Sequence, residues 1–226
     1  MPGATVMVIG DSFVRRLQDA VEHAEHHVLT HHSPYNPQHF SADWFKAPKS
    51  ISRVYFYGVA GATVTPHGKQ LHLPEDLILS VSPKFVILEI GGNDVDSEAS
   101  PADIAKAKVQ MARQLIDLGV EAVTLTTVLP RDTTRNILSS DYLDKANETN
   151  GYTSYFAKSD PNWQRIQFHP HRGFWRDANH NVVDTSSWSS DGIHPDTSQG
   201  MSKLRSSYTS CLHKMPKTHR KYFEDC

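Results

Sequence analysis

The triplet Gly10-Asp11-Ser12 closes the apolar run Val6-Met7-Val8-Ile9 and precedes an amphipathic segment. A short apolar run bounded by glycine indicates a buried strand, and apolar residues then recur at helical spacing: Val14, Leu17, Val21 and Ala24. A serine at such a junction has its hydroxyl at the mouth of a helix, where backbone N–H groups favour developing negative charge. Asp and Ser before a helix are also ordinary capping residues. Taken alone, the triplet is therefore either a helix cap or part of a catalytic site.

Strand-like and helix-like segments alternate along the rest of the chain. The pattern predicts buried strands at residues 5–9, 54–57, 85–90, 122–128 and 165–168, and helices from residue 12, over 101–118, around 142–156 and over 197–212. The second helix has the clearest signals, with Ser100 as N-cap, Pro101 at the first position and Gly119 at its end. Such alternation predicts an α/β fold, a parallel sheet covered by helices on both faces. No repeat or linker is visible, so we expect one domain.

Two stretches depart from this alternation. Residues 31–52 form a polar connection rich in proline and histidine. Residues 130–190 carry Trp163, Trp175 and Trp188 among many small polar residues. Long loops of this kind either shape a pocket or decorate an edge of the fold. Trp188 and Trp175 are the candidates for substrate contact, by stacking on a sugar or by burying an acyl chain.

Short motifs that contain glycine fall at the ends of the first three predicted strands and before the last helix. They are Gly10-Asp11-Ser12, Gly58-Val59-Ala60-Gly61, Gly91-Gly92-Asn93-Asp94 and Asp191-Gly192-Ile193-His194. In parallel sheets the carboxyl ends of the strands meet at one edge, and ligands bind there. Each motif alone can be a plain turn or loop, but the four in this arrangement predict a shared site.

The residue types in these motifs suit acyl transfer. Ser12 needs a base, and His194 is the candidate because Asp191, three residues earlier, can hydrogen-bond its other ring nitrogen. That bond would fix the tautomer and stabilise the imidazolium. The backbone N–H groups of Ser12 and Gly61 and the side-chain amide of Asn93 can donate to an oxyanion.

With these motifs the chain resembles the SGNH hydrolase superfamily, also called GDSL-like esterases and lipases, over essentially the whole domain. The superfamily is named after a serine, a glycine, an asparagine and a histidine, which match Ser12, Gly61, Asn93 and His194. The resemblance implies a three-layer α/β/α sandwich with a flavodoxin-like, five-stranded parallel sheet. Phe13 departs from the leucine that often follows the serine, and this change inside the helix is conservative.

The resemblance also implies roles for these residues. Ser12 would be the nucleophile, His194 the base and Asp191 its orienting acid. Ser12, Gly61 and Asn93 would form the oxyanion hole, and the chemistry requires no cofactor and no metal. We expect the esterase domain to span residues 1–214, with residues 215–226 as a flexible tail.

The predicted function is therefore hydrolysis of a carboxylic ester through an acyl-enzyme, with transfer to another acceptor as a variant. The expected partner is a small-molecule ester, either a sugar ester or a lipid, whose acyl group is short (acetyl, for example) or a lipid acyl chain. Residues 10–17 are also similar to esterase domains of animal proteins, some of them encoded by retrotransposons. The alternative function is a glycan- or lipid-binding module of a larger protein, with weak or no catalysis.

Charge and hydropathy argue against other classes of protein. A formal net charge of -2 gives no electrostatic case for nucleic-acid binding. No apolar run approaches 18 residues, so no transmembrane segment is predicted, and without a recognisable signal peptide we expect a cytoplasmic location. Histidines cluster between His23 and His32 at ligand-like spacing, but a solvated helix end is the favoured interpretation.

Overall fold

A computed structural model of the chain describes residues 3–24, 39–171, 173–174 and 187–223. Within this part the strands are β1 (Ala4–Gly10), β2 (His39–Ser41), β3 (Ile51–Gly58), β4 (Ala62–Thr63), β5 (Lys69–Gln70), β6 (Phe85–Glu89), β7 (Ala122–Thr126) and β8 (Ile166–His169). The α-helices are α1 (Ser12–Ala24), α2 (Glu75–Val81), α3 (Gly92–Val95), α4 (Pro101–Asp117), α5 (Ser139–Ser159) and α6 (Gln199–Phe223). A 3-10 helix covers Ala42–Phe45.

The main sheet has the strand order β2-β3-β1-β6-β7-β8. All neighbours from β3 to β8 pair in parallel, which is the flavodoxin-like order 2-1-3-4-5 when these five strands are numbered along the chain. The five strands predicted from the sequence are these five, so the predicted fold class is confirmed. The short strand β2 adds an antiparallel edge beside β3.

Two apolar cores cover the two faces of the sheet. Alternate residues of β1 point to opposite faces: Met7 and Ile9 join one core, whereas Val6 and Val8 join the other. The first core is completed by buried residues of α2, α4 and α5. The second is completed by residues of α1, α6 and the 3-10 helix. The result is the three-layer α/β/α sandwich that the sequence predicts.

Helix α4 begins and ends as the sequence indicates. The hydroxyl of Ser100 accepts the backbone N–H of Asp103 at 3.1 Å and donates to its carboxylate at 2.7 Å. Gly119 follows the helix with a φ of +98°, a conformation that glycine adopts without a steric penalty.

The structure corrects the sequence prediction in two places. The connection over residues 31–52 contains β2 and the 3-10 helix, which are too short to produce a periodic pattern. Helix α6 continues past the predicted end at Leu212 to Phe223. The physical reason is that Met215 extends the apolar stripe of Tyr208 and Leu212 and is fully buried in the second core. No helix in the described part of the chain combines the length and apolarity needed to cross a bilayer.

A buried polar cluster joins α6 to the central strand β6. The Glu89 carboxylate lies 2.5 Å from Nε2 of His171 and accepts the Tyr208 hydroxyl at 3.0 Å. The other ring nitrogen of His171 lies 2.8 Å from the Ser207 hydroxyl. Burial by itself would raise the pKa of Glu89, but the charge and hydrogen bond of His171, together with Lys108, lower it overall. The cluster therefore places an ionised carboxylate at the carboxyl end of β6 and ties α6 to this strand.

Two glycines allow close backbone contact at the carboxyl ends of β1 and β3. A Cβ atom on Gly10 would lie 1.8 Å from the carbonyl oxygen of Glu89, and one on Gly58 would lie 2.4 Å from the backbone nitrogen of Arg15. Both neighbours are main-chain atoms and cannot rotate away. Glycine is therefore required at these positions for the strands and α1 to approach each other.

We predict that Gly10→Ala destabilises the fold by about 3 kcal/mol, because β1 and β6 would have to separate. The measurement is the free energy of unfolding from urea titration followed by circular dichroism. The control is Gly151→Ala inside α5, where a Cβ atom has open space and alanine should stabilise the helix by about 0.5–1 kcal/mol. Equal effects of the two substitutions would contradict this account of Gly10.

Candidate active site

Ser12 is the first residue of α1, directly beyond the end of β1. The buried carboxylate of Asp11 accepts the backbone N–H of Phe13 at 2.9 Å and so caps the helix. The capping interpretation of the triplet is therefore confirmed for Asp11, and the catalytic interpretation of Ser12 stays a prediction. Asp11 is the helix cap, and Ser12 faces the neighbouring loops.

Ser12, His194 and Asp191 form one continuous hydrogen-bonded path. The Oγ atom of Ser12 lies 2.7 Å from Nε2 of His194, and Nδ1 of His194 lies 2.8 Å from Oδ2 of Asp191. An ionised carboxylate only accepts hydrogen bonds, so Nδ1 carries the ring proton. The lone pair of Nε2 is therefore available to accept the Ser12 hydroxyl. The three residues singled out in the sequence are brought together over 182 positions of chain.

Both carboxylate oxygens of Asp191 accept hydrogen bonds. Its Oδ1 atom accepts the hydroxyl of Ser189 at 2.6 Å and the backbone N–H groups of Ile193 and His194, each at 2.9 Å. Its Oδ2 atom accepts Arg16 at 2.9 Å in addition to His194. Burial would raise the pKa of Asp191, but the Ser189 and His194 hydrogen bonds outweigh it, and the pKa lies well below its usual range. This carboxylate is a fixed negative charge behind the imidazole.

The turn that carries Asp191 and His194 is docked on a neighbouring loop through Gly192. Its φ is +63°, and a Cβ atom there would lie 2.2 Å from Oγ1 of Thr133. The backbone N–H groups of Asp132 and Thr133 donate to the Gly192 carbonyl at 2.8 and 3.0 Å. Gly192 thereby fixes the position of the whole turn.

The loops after β3 and β6 are joined by Asn93 and Asp94. The carboxylate of Asp94 accepts the backbone N–H groups of Val64 and Thr65, at 2.9 and 2.8 Å, and the Thr65 hydroxyl at 2.7 Å. Nδ2 of Asn93 donates to the carbonyl of Ala62 at 2.9 Å. These bonds hold the loop that contains Gly61 against the start of α3.

The orientation of the Asn93 amide is fixed by Arg131. The guanidinium donates to Oδ1 of Asn93 at 3.0 Å, and because arginine only donates, the amide oxygen must face it. Nδ2 therefore faces the other way, and one of its two N–H groups binds Ala62. The second N–H is the donor that the sequence assigns to an oxyanion hole. Gly61 stands nearby with a φ of +73°.

A cavity of about 570 Å³ opens at this point, and Ser12, Gly61, Asn93 and His194 all line it. Four arginines also belong to the lining: Arg15, Arg16, Arg131 and Arg135. The Ser12 hydroxyl, the His194 imidazole and the two predicted oxyanion donors, Gly61 and Asn93, thus share one solvent-accessible space. The arrangement can activate a serine hydroxyl and hold a carbonyl substrate against it.

The remaining sequence candidates are Trp188, Trp175 and the histidine cluster. Trp188 is 8% exposed, packs against Phe174 at a ring distance of 5.8 Å, and is not among the described residues that line the cavity. Trp175 and the histidines from 26 to 32 lie outside the described residues, as does the side chain of His23. Arg16, Ser189 and Arg131 also contact residues of the site, and the sequence motifs do not point to them. Of these, Arg16 had a signal, because it lies one helical turn after Ser12.

Burial shifts the pKa values of two groups at the site in opposite directions. It lowers the pKa of His194, with the Asp191 hydrogen bond acting against it and the Arg16 charge acting with it. It raises the pKa of Asp11 to about 7, against the Phe13 hydrogen bond and the Arg131 charge. Because its pKa is lowered, the His194 imidazole is neutral at neutral pH and able to accept a proton.

The family model described as "GDSL-like Lipase/Acylhydrolase family" matches residues 8–199. Among solved structures, a GDSL-like lipase from Bacteroides thetaiotaomicron aligns at 17% identity and a TM-score of 0.60, covering 93% of this chain and 88% of that chain. Est24, a carbohydrate acetylesterase from Sinorhizobium meliloti, aligns at 15% identity and a TM-score of 0.59, covering 92% and 98%. Comparison with curated proteins found no significant match. At these identities the solved structures establish the shared fold.

We predict that Asp11→Asn stabilises the protein, and more at pH 8 than at pH 5. The pKa of the Asp11 carboxyl is 3.8 in the unfolded chain and about 7 in the folded protein. Between these values the folded state keeps a proton that the unfolded state has lost, so the stability of the wild type falls as pH rises. Asparagine does not ionise, so it removes this loss of stability, which is at most about 4 kcal/mol. Its side-chain oxygen still accepts the Phe13 N–H.

Urea titration at the two pH values measures this effect. The control is Asp103→Asn in the exposed first turn of α4, where the Ser100 hydrogen bond lowers the pKa of the carboxyl. That substitution should lower stability at both pH values. A gain for Asp11→Asn that is no larger at pH 8 than at pH 5 would contradict the prediction.

We also predict that Arg16→Gln raises the pKa of His194, because the guanidinium charge beside Asp191 lowers it. The measurement is an NMR titration of the ring protons, with the His194 signal assigned by its loss in His194→Ala. Arg113→Gln is the matched control, since Arg113 pairs with Asp160 away from the site. An unchanged or lowered pKa in Arg16→Gln would refute the coupling.

Proposed function

The chain belongs to the GDSL-like lipase/acylhydrolase family, and on that premise we propose that it is a serine esterase that cleaves a carboxylic ester through an acyl-enzyme. The observation that carries the proposal is the path from Ser12 through His194 to Asp191, with hydrogen bonds of 2.7 and 2.8 Å. The proposed nucleophile, base and orienting acid are these three residues, in that order.

In the proposed acylation step, Nε2 of His194 takes the proton of Ser12 as Oγ attacks the ester carbonyl. The oxyanion that forms accepts the backbone N–H groups of Ser12 and Gly61 and the second amide N–H of Asn93. Asp191 stabilises the imidazolium through the bond to Nδ1. His194 then donates its proton to the alcohol oxygen, the carbon–oxygen bond breaks, and the acyl group stays on Ser12.

Deacylation repeats the sequence with water in place of Ser12. His194 removes a proton from the water, the hydroxide attacks the acyl carbonyl, and the proton returns to Oγ as the acid leaves. An alcohol acceptor in place of water would give acyl transfer by the same groups. The depressed pKa of His194 keeps the base neutral at physiological pH, which supports this assignment.

The cavity favours a short acyl group. Among the described lining residues the apolar side chains are Ala60 and Ile193, and the remainder of the lining is glycine or polar. A long acyl chain would need a larger apolar wall. The likeness to a carbohydrate acetylesterase is in line with this preference.

We predict that Ser12→Ala lowers the hydrolysis of para-nitrophenyl acetate by at least about 10³-fold and abolishes labelling by a fluorophosphonate probe. The matched control is Ser80→Ala, at an exposed serine of α2, which should keep both activities. Circular dichroism establishes that each variant is folded. Hydrolysis and labelling that persist in Ser12→Ala would refute the serine mechanism, and wild-type protein that does neither would favour a binding module.

A further inference from the structure

Four of the eleven residues lining the cavity are arginines, although the whole chain carries a net charge of -2. Two of them are engaged by the site itself. Arg16 pairs with Asp191, and Arg131 donates to Asn93 and lies 3.8 Å from the Asp96 carboxylate. The other two, Arg15 and Arg135, are exposed and have no side-chain partner among the described residues. Their charges are therefore available to a ligand.

The main chain of Arg15 is rigidly placed. It lies in the first turn of α1, three residues after Ser12, and its backbone nitrogen donates to the Asp11 carbonyl at 3.3 Å. Its backbone also packs on Gly58 so closely that a Cβ atom there would be 2.4 Å from the nitrogen of Arg15. The guanidinium thus extends from a fixed point on the rim of the cavity.

Arg135 is held in a comparable way from the opposite loop. Its backbone N–H donates to Oδ2 of the buried Asp96 at 2.9 Å, and the N–H of Asn136 donates to Oδ1 at 3.0 Å. The Asn136 side chain adds a bond of 2.6 Å to the Asp96 carbonyl. These bonds order the loop without using the guanidinium of Arg135.

The cavity lining carries an excess of positive charge, and most of it comes from Arg15 and Arg135, since Arg16 pairs with Asp191 and Arg131 lies beside Asp96. Asp19 is the one carboxylate among the described lining residues, against four guanidinium groups. Charges of one sign around a cleft raise the local concentration of oppositely charged ligands. Guanidinium groups bind carboxylates and phosphates with paired, charge-assisted hydrogen bonds.

We propose that the ester taken by this site carries an anionic oxygen group, a carboxylate or a phosphate, and that Arg15 and Arg135 bind it. The inference rests on the proposed esterase function for its catalytic part. The oxyanion of the reaction has its own donors in Ser12, Gly61 and Asn93, so the two arginines are specificity-determining residues. They bind a part of the substrate that does not react.

The test compares esters that differ in charge. Para-acetoxybenzoate and para-acetoxyphenyl phosphate are the anionic substrates, and methyl para-acetoxybenzoate is the neutral reference. For wild type and for Arg15→Gln/Arg135→Gln, kcat/KM is measured for all three by pH-stat titration. The anionic-to-neutral ratio should fall by about tenfold or more in the double variant, because charge-assisted bonds are lost. Comparing ratios removes the intrinsic reactivity of each ester.

The control is Arg53→Gln, at an exposed arginine of β3 that does not line the cavity. Its ratio should equal that of the wild type. The anionic ester whose ratio falls more in the double variant carries the preferred group, either the carboxylate or the phosphate. An unchanged ratio in the double variant, or an equal fall in Arg53→Gln, would overturn the proposal.

A binding measurement separates this proposal from the esterase function. Para-acetoxyphenyl phosphate and para-acetoxybenzoate are titrated calorimetrically into Ser12→Ala, with and without the two arginine substitutions. Binding that weakens about tenfold or more with the arginine substitutions supports the anion site even if the wild type hydrolyses no ester. Equal binding by the two proteins, or no binding of either anion, refutes it whatever the hydrolysis result.

Discussion

The parallel pairing of β1 with both β3 and β6 determines where Ser12, Gly61 and Asn93 lie. In this register Gly10 is opposite Gly58 on one side and Glu89 on the other. The three strands therefore end at the same level, and the chain leaves each of them into a loop or helix that borders the same cavity. The two glycines let the main chains approach closely enough for α1 to begin at Ser12.

Much of this architecture could be predicted because strand ends and polar motifs coincide in the sequence. The buried runs identify the strands, and the parallel arrangement then brings Ser12, Gly61 and Asn93 to one edge. The short spacing of Asp191 and His194 predicts their hydrogen bond, which the structure confirms. These inferences succeed because each depends on local pattern and on one topological rule.

Contacts between distant segments could not be predicted in this way. Asp94 caps the backbone of Val64 and Thr65 about 30 residues earlier, and nothing in its own surroundings identifies these partners. The sequence does not predict the full length of α6, because Met215 is buried by the second core, which distant segments of the chain build. Trp188 is a related case, since the sequence does not distinguish a tryptophan that lines a pocket from one that packs inside.

The arrangement of Arg15 and Arg135 has an evolutionary consequence. Their main chains are bound into the framework, whereas their guanidinium groups have no hydrogen-bond or ion-pair partner among the described residues, so we expect a substitution at either position to leave the folded scaffold and the reacting groups in place. On the proposal that these two arginines bind the substrate, selection can change what the site prefers to bind while the scaffold and the proposed chemical steps stay the same. Within a fold shared at below a fifth of sequence identity, positions of this kind are where related chains can diverge in substrate.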